Sequence, residues 1–169
     1  SGSTTKAFGR SGATGAKVFH KVLQAEGGAN LVLDMVGGTY IQRNLKALAD
    51  DGQVLVVTSW ASWCPDCEQL LPDLSELASR YADEGVVILA INRAEPQTTA
   101  VAYLKSIDAT DGVNLILDPE DRFYDSIRGF SMPETLVYDR TGRIIAQLRG
   151  RVSQEMISDH VAEALDGEG

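Results

Sequence analysis

Trp60-Ala61-Ser62-Trp63-Cys64-Pro65-Asp66-Cys67 holds the only two cysteines of the chain, and the apolar run Val54-Leu55-Val56-Val57 leads straight into it. A helical pattern follows at once, with Leu70, Leu71, Leu74, Leu77, Ala78 and Tyr81 recurring on one face. A strand that delivers Cys-x-x-Cys to the start of a helix builds a dithiol able to cycle with a disulfide. The helix N-terminus presents free N–H groups and a partial positive charge, which favour a thiolate on the first cysteine. Cys67, about one turn on, lies close enough to resolve a mixed disulfide. Cys64 is therefore the expected nucleophile, the more exposed and more acidic thiol, and Cys67 the buried resolving one. Two cysteines make no disulfide framework; their spacing points to redox chemistry or to half of a metal site.

Composition sets the bounds around this motif. A chain of 169 residues, 44% of them hydrophobic, can bury one core, or a core and a small appendage. A net charge of −9 argues against nucleic acid and anionic membranes, which select clustered Lys and Arg. No run of about 18 apolar residues offers a membrane span. Ser1-Gly2-Ser3 reads as an expression remnant, and no secretory signal follows it, so the compartment is not given by the sequence itself.

Outward from the cysteines, alternating strands and helices emerge. On the N-terminal side, residues 1–29 are glycine-rich and carry no clear period beyond a short helical candidate at 17–25. They read as an irregular or flexible lead-in. Residues 30–36 form a buried-strand type of run between Gly27-Gly28 and Gly37-Gly38, and 40–49 a helical one. Residues 54–58 are continuously apolar or nearly so, the mark of a central strand. On the C-terminal side, the helix after the cysteines is expected to end near Glu84-Gly85 and to kink at Pro72. Strand 86–92, helix 98–107, a short extended 114–117 and two helical turns at 121–127 come next. Strands 135–138 and 144–148 flank the hairpin signal Asp139-Arg140-Thr141-Gly142. Ser153 caps a last helix whose apolar positions are Met156, Ile157, Val161 and Leu165. The order predicts an α/β thioredoxin fold over residues 30–166, a mixed central sheet with helices on both faces.

Four local matches strengthen that reading: Trp60-Ala61-Ser62-Trp63-Cys64-Pro65-x-Cys67, Leu71-Pro72, Met132-Pro133-Glu134-Thr135, and Val137-Tyr138-Asp139-Arg140-Thr141-Gly142-Arg143-Ile144. Through them residues 54–165 resemble the TlpA-like branch of the thioredoxin superfamily, extracytoplasmic thiol–disulfide oxidoreductases. The resemblance implies a cis peptide at Pro133, beside the cysteines. It also implies that the Met132 backbone pairs with a substrate chain while its side chain leans on the disulfide. Trp63 is implied to pack beside that disulfide and to report its redox state by fluorescence. An extracytoplasmic location and the reducing direction follow by the same resemblance.

The stretch from Leu31 to Gly52 resembles something else, the later half of the nucleotide-binding domain in medium-chain quinone oxidoreductases. Residues 30–52 are thus a candidate Rossmann-derived β-α unit, and the chain a candidate chimera joined near Val54. The alternative is a divergent form of the lead-in that TlpA-like proteins carry. Nucleotide binding does not follow in either case, and no cofactor is expected. Gly9-Arg10-Ser11-Gly12-Ala13-Thr14-Gly15 has the wrong glycine spacing for a pyrophosphate turn and no evident strand before it.

The site also departs from its relatives. Asp66 places a carboxylate beside Cys64, which disfavours the thiolate and predicts a more reducing couple, near the thioredoxin end of the range at about −270 mV; the alternative is a solvated Asp66 with little effect. Thioredoxins keep a buried acid six residues before the first cysteine, where Thr58 stands. TlpA-like proteins often carry Glu six residues after it, where Leu70 stands. With neither base present, exchange is expected to be slow, with water or a solvent-facing Glu68 taking the proton of the resolving thiol. The acidic runs at 118–121 and 163–168 read as solvated surface.

The expected function is reductive exchange of the Cys64/Cys67 dithiol with protein disulfides, Met132 and Pro133 positioning the partner. An upstream dithiol protein supplies the electrons. Competing readings are a chimeric scaffold without a physiological substrate, a Cu(I) site built from Cys64, Cys67 and Met132, and internal reduction by a nicotinamide. His20 and His160 sit in unrelated segments, so a zinc site is not expected.

Overall fold

The computed structural model describes residues 4–8, 31–35, 45 and 52–167. Seven strands form one sheet: β1 (Thr4–Phe8), β2 (Leu31–Met35), β3 (Val54–Trp60), β4 (Val86–Arg93), β5 (Val113–Asp118), β6 (Glu134–Tyr138) and β7 (Ile144–Arg149). Their spatial order is β1-β2-β5-β4-β3-β6-β7. The first five in that order run parallel, and β6 is antiparallel to both of its neighbours, β3 and β7. Four helices are described: α1 (Cys67–Arg80), α2 (Gln97–Ser106), α3 (Arg122–Ser126) and α4 (Gln154–Asp166).

β3 is central because it is apolar on both faces, and every one of its residues is buried. Val54, Val56 and Trp60 pack with Leu70, Leu71, Leu74 and Leu77 of α1 and with Ile157 and Val161 of α4. Leu55 and Val57 face the other way, against Phe123 of α3, Ile127 and Leu45. The mixed sheet with helices on both faces is the expected α/β thioredoxin fold. α1 runs through Pro72, whose missing N–H leaves one carbonyl of the preceding turn without its helical donor. Ser153 accepts from Met156 N at 3.1 Å and so caps α4.

Several expectations are corrected. α1 ends at Arg80, four residues before Glu84-Gly85, because Tyr81 leaves helical geometry (φ −105°, ψ 18°) and Glu84 N turns back to Tyr81 O at 3.1 Å. Met156, expected in the apolar stripe of α4, is largely exposed. Asp118, read as solvated surface, is buried, since its carboxylate accepts from the N–H groups of Arg122 and Phe123 and starts α3. The lead-in contains β1, which pairs in register with β2. Thr4-Thr5-Lys6-Ala7-Phe8 is too short and polar to show a strand period, and it ends directly before Gly9. One of the two grounds for setting nucleotide binding aside, the missing strand, therefore falls; the glycine spacing stands. β2 pairs with β5, so two strands, β5 and β4, lie between it and β3 in the sheet. The helical candidates 17–25 and 40–49 (Leu45 apart), the glycine stretch 9–15 and His20 lie outside the described residues.

The β6–β7 hairpin depends on Asp139. Its carboxylate accepts from Thr141 N, Thr141 Oγ1 and Arg143 N and pairs with the Arg143 guanidinium. Burial works to raise its pKa, but the Thr141 hydroxyl, the two N–H groups and the guanidinium outweigh it and hold the carboxyl below the ordinary value. A depressed folded-state pKa stabilises fully above the unfolded value, about pH 4, and is lost as pH falls through the folded value. Asp139→Asn is expected to lower stability by about 1–2 kcal/mol at pH 7, with the difference from the parent closing towards pH 2, read from urea midpoints. Asp118 has the opposite sign. Burial, helped by the Asp121 carboxylate and opposed by the N–H groups of Phe123, Arg122 and Tyr124, leaves its pKa raised, so its contribution is largest at low pH and falls as pH rises through that value.

Candidate active site

The C-terminal end of β3 releases the chain into the turn that carries both cysteines, and α1 begins on the second of them. Cys64 and Cys67 form a disulfide with Cα atoms 5.3 Å apart, well inside the range a disulfide can bridge. Cys64 N donates to Ala61 O at 3.2 Å. Cys67 N lies 3.2 Å from both the carbonyl and the Sγ of Cys64, so one N–H of the first helical turn is shared between that carbonyl and that sulfur. The expected difference in exposure is absent: Cys64 is 2% and Cys67 0% exposed. In the oxidised form the two sulfurs face one another and share a single apolar cluster, which buries them alike.

β6 lies antiparallel to β3, Glu134 opposite Ser59, which brings the segment before it to the same end of the sheet. There the Met132–Pro133 peptide is cis, and Met132 packs on the cluster containing both cysteines as well as on the opposite one. Trp63 is 61% exposed, with the Arg93 guanidinium 5.9 Å from its ring centroid. The same guanidinium stands 3.5 Å over Tyr124 and is bound by the Asp121 carboxylate. Phe130 is 74% exposed under Arg149, 4.4 Å away. The site residues named from the sequence thus gather at one end of the sheet.

Thr58, which stands where thioredoxins keep an acid, is buried, and its hydroxyl and that of Thr135 bond each other at 3.0 Å, a neutral and closed pair. Leu70 is core and Glu68 is exposed. Burial first, then the carboxylates of Glu68 and Glu95, push the Tyr103 phenol above its ordinary value. Tyr103 stacks on Trp60 with centroids 5.7 Å apart. Among the described residues no three of His, Cys, Asp and Glu are grouped as a metal site.

Sequence reasoning passed over two carboxylates. Glu134, fully buried, accepts from Phe130 N at 3.2 Å, Gln147 Nε2 at 2.7 Å and Arg149 Nε at 3.0 Å. The signal was present: Glu134 and Arg149 begin and end a hairpin and are register partners. Glu95 accepts from Ser62 N at 3.0 Å, from Ser62 Oγ and from Asn92 Nδ2 at 2.7 Å. Its signal was its place just past the end of β4, on the side of the sheet where parallel strands present their sites.

A disulfide opening a helix at the end of a central strand, beside a cis-proline segment, defines a protein of thioredoxin-like fold with a redox-type cysteine pair. The chain belongs to the AhpC/TSA family, whose model matches residues 33–147. It is 26% identical over 110 residues to the thiol-disulfide oxidoreductase ResA of Geobacillus thermodenitrificans, covering 65% of this chain and 62% of that protein. It is 25% identical over 142 residues to ResA of Bacillus subtilis, covering 82% and 74% respectively. The match thus spans a little under two thirds of the first of these relatives. A crystal structure of a thiol:disulfide interchange protein DsbE from Chlorobium tepidum superposes with a TM-score of 0.62 at 25% identity, covering 69% of this chain and 82% of that one. The chimera reading draws no support here. The family match itself starts at Leu33, inside the stretch that resembled a nucleotide-binding unit.

Proposed function

We propose that the chain is a thiol–disulfide oxidoreductase of the TlpA-like kind, acting on protein disulfides in the reducing direction. The observation that carries this is the Cys64–Cys67 disulfide, with an α1 N–H on the Cys64 sulfur and the Met132–Pro133 segment at the same sheet end. In the reduced protein the Cys64 thiolate attacks a partner disulfide, forming a mixed disulfide and releasing one partner thiolate. Cys67, deprotonated, then attacks Cys64 Sγ; this closes the disulfide seen here and frees the second partner thiolate. Two electrons leave the protein in each cycle, and an upstream dithiol partner restores them. Met132 is assigned to the partner's backbone and Trp63 to the rim of the contact. We assign β2 to the thioredoxin-like unit because it pairs with β5.

No helix among the described residues is long and apolar enough to cross a membrane. The extracytoplasmic setting rests on the TlpA-like resemblance. With Thr58 tied to Thr135, proton removal from Cys67 falls to water or Glu68. Glu68→Gln is then expected to slow the second step a few-fold, and an unchanged single-turnover rate would remove Glu68 from that role.

The deciding experiment is the dithiol–disulfide midpoint potential, followed by tryptophan fluorescence in glutathione and dithiothreitol buffers, with Cys64→Ser as control. A reversible two-electron transition that the control abolishes supports the reading. Its absence in folded protein would sink it.

A further inference from the structure

The polar group that holds the cysteine loop in place is Glu95. Residues 61–63 join β3 to the Cys64–Cys67 turn, and Ser62 gives Glu95 both of its donors, the backbone N–H and the hydroxyl. The Ser62 N–H belongs to the same planar peptide unit as the Ala61 carbonyl, and in a trans unit the two point in opposite directions. Fixing the N–H on Glu95 therefore aims the Ala61 carbonyl away from Glu95, towards Cys64 N, which it accepts at 3.2 Å. One carboxylate so sets a peptide plane, and that plane sets the backbone of Cys64.

Glu95 is itself held from behind. Asn92 is fully buried opposite Trp60 in the β3–β4 register, and its Nδ2 donates to Glu95 at 2.7 Å. Asn92 Oδ1 has no partner among the described residues, so the Glu95 bond is the side-chain hydrogen bond that this buried amide makes. Between the two, Ala94 adopts φ +50°, a left-handed conformation that costs an alanine energy and persists only where the surroundings impose it. Its N–H donates to Asp118 O at 3.0 Å, tying the turn to the end of β5. A strained, doubly anchored turn delivering one carboxylate to one loop is more than a surface polar contact requires.

We infer that Glu95 is a positioning residue of the redox site: through Ser62 it orients the 61–62 peptide and with it Cys64, and it does so by reach and acceptor geometry, not by charge. This deepens the oxidoreductase reading and rests on it.

The test compares Glu95→Asp, Glu95→Gln, Ser62→Ala and Ser62→Ala/Glu95→Asp in the full chain. The readouts are the second-order rate of the reduced protein with an aromatic disulfide reagent, the pH profile of that rate, the midpoint potential and the circular-dichroism melt. Glu95→Asp keeps the charge but is one methylene short, and it is expected to slow Cys64 about tenfold, the upper end of what one ordinary hydrogen bond contributes. Glu95→Gln keeps the reach and an acceptor for Ser62 N, and it is expected to recover most of that rate. Ser62→Ala removes the hydroxyl bond alone and Glu95→Asp loosens both, so together they should cost less than the product of their separate effects. A normal rate, pH profile and potential in Glu95→Asp would overturn the inference. So would a slow Glu95→Gln beside a normal Glu95→Asp, or strictly multiplicative effects. If the parent protein shows no reversible dithiol transition, the oxidoreductase reading fails. A transition that the Glu95 variants leave untouched defeats the positioning role alone.

Discussion

Cys67→Ser is expected to convert the protein into a trap. Reduced Cys64 would still attack a protein disulfide, but nothing would displace the partner from its sulfur, so the mixed disulfide should accumulate. A non-reducing gel would show a shifted band that dithiothreitol removes. Turnover of a disulfide substrate should fall to the uncatalysed level in this variant and in Cys64→Ser alike, while only Cys67→Ser should form the adduct. The asymmetry follows from the geometry around the pair: Cys64 Sγ receives the Cys67 N–H at the start of α1, so a thiolate there gains a hydrogen bond and the helix terminus. An adduct on Cys64→Ser instead would reverse the assignment of the two thiols.

Glu134→Ala should be among the most destabilising single changes outside the apolar core. The carboxylate is fully buried and gathers Phe130 N, Gln147 Nε2 and Arg149 Nε, so it joins β6 to β7 and to the segment that leads to Met132-Pro133. Removing one partner of a buried ion pair costs about 3–5 kcal/mol when the remaining charge is trapped. Here Arg149 is partly exposed and rehydrates, so the expected loss is at the lower end, about 3 kcal/mol, read from urea midpoints. The Gln147 amide also donates to Ile127 O, which keeps part of the segment tied. Glu134→Gln should recover roughly half of the loss, because an amide oxygen still accepts while the charge is gone. A loss below about 1 kcal/mol in Glu134→Ala would mean that the segment is held by packing alone.

What the sequence disclosed and what it concealed divide along a physical line. The central strand, the α1 stripe and the hairpin were legible because periodicity and turn chemistry are local: Val54 to Val57 is apolar throughout, and Asp139-Arg140-Thr141-Gly142 spells its own turn. The cysteine pair and the Met132-Pro133 segment were legible as short motifs. β1 was not, since an edge strand of five mostly polar residues needs no alternation. Asp118, Glu134 and Glu95 were not, because their roles lie in partners remote along the chain or in backbone N–H groups that no residue pattern displays. Ser62 and Glu95 are 33 residues apart, and Thr58 and Thr135 are 77 apart. A charge in a sequence reads as surface until something shows what it faces.

The pairing of β2 with β5 has a consequence for how the molecule assembles. Val32 meets Leu115, whereas β3 meets β4, and β6 meets β7, through far shorter loops. Closing the longer loop forfeits more chain entropy before any contact repays it. During synthesis β2 leaves the ribosome well before β5 exists, so the earlier-made strand of this pair is seated late. β3 and β4, which lie close in the chain, can pair while the N-terminal edge is still waiting for its neighbour.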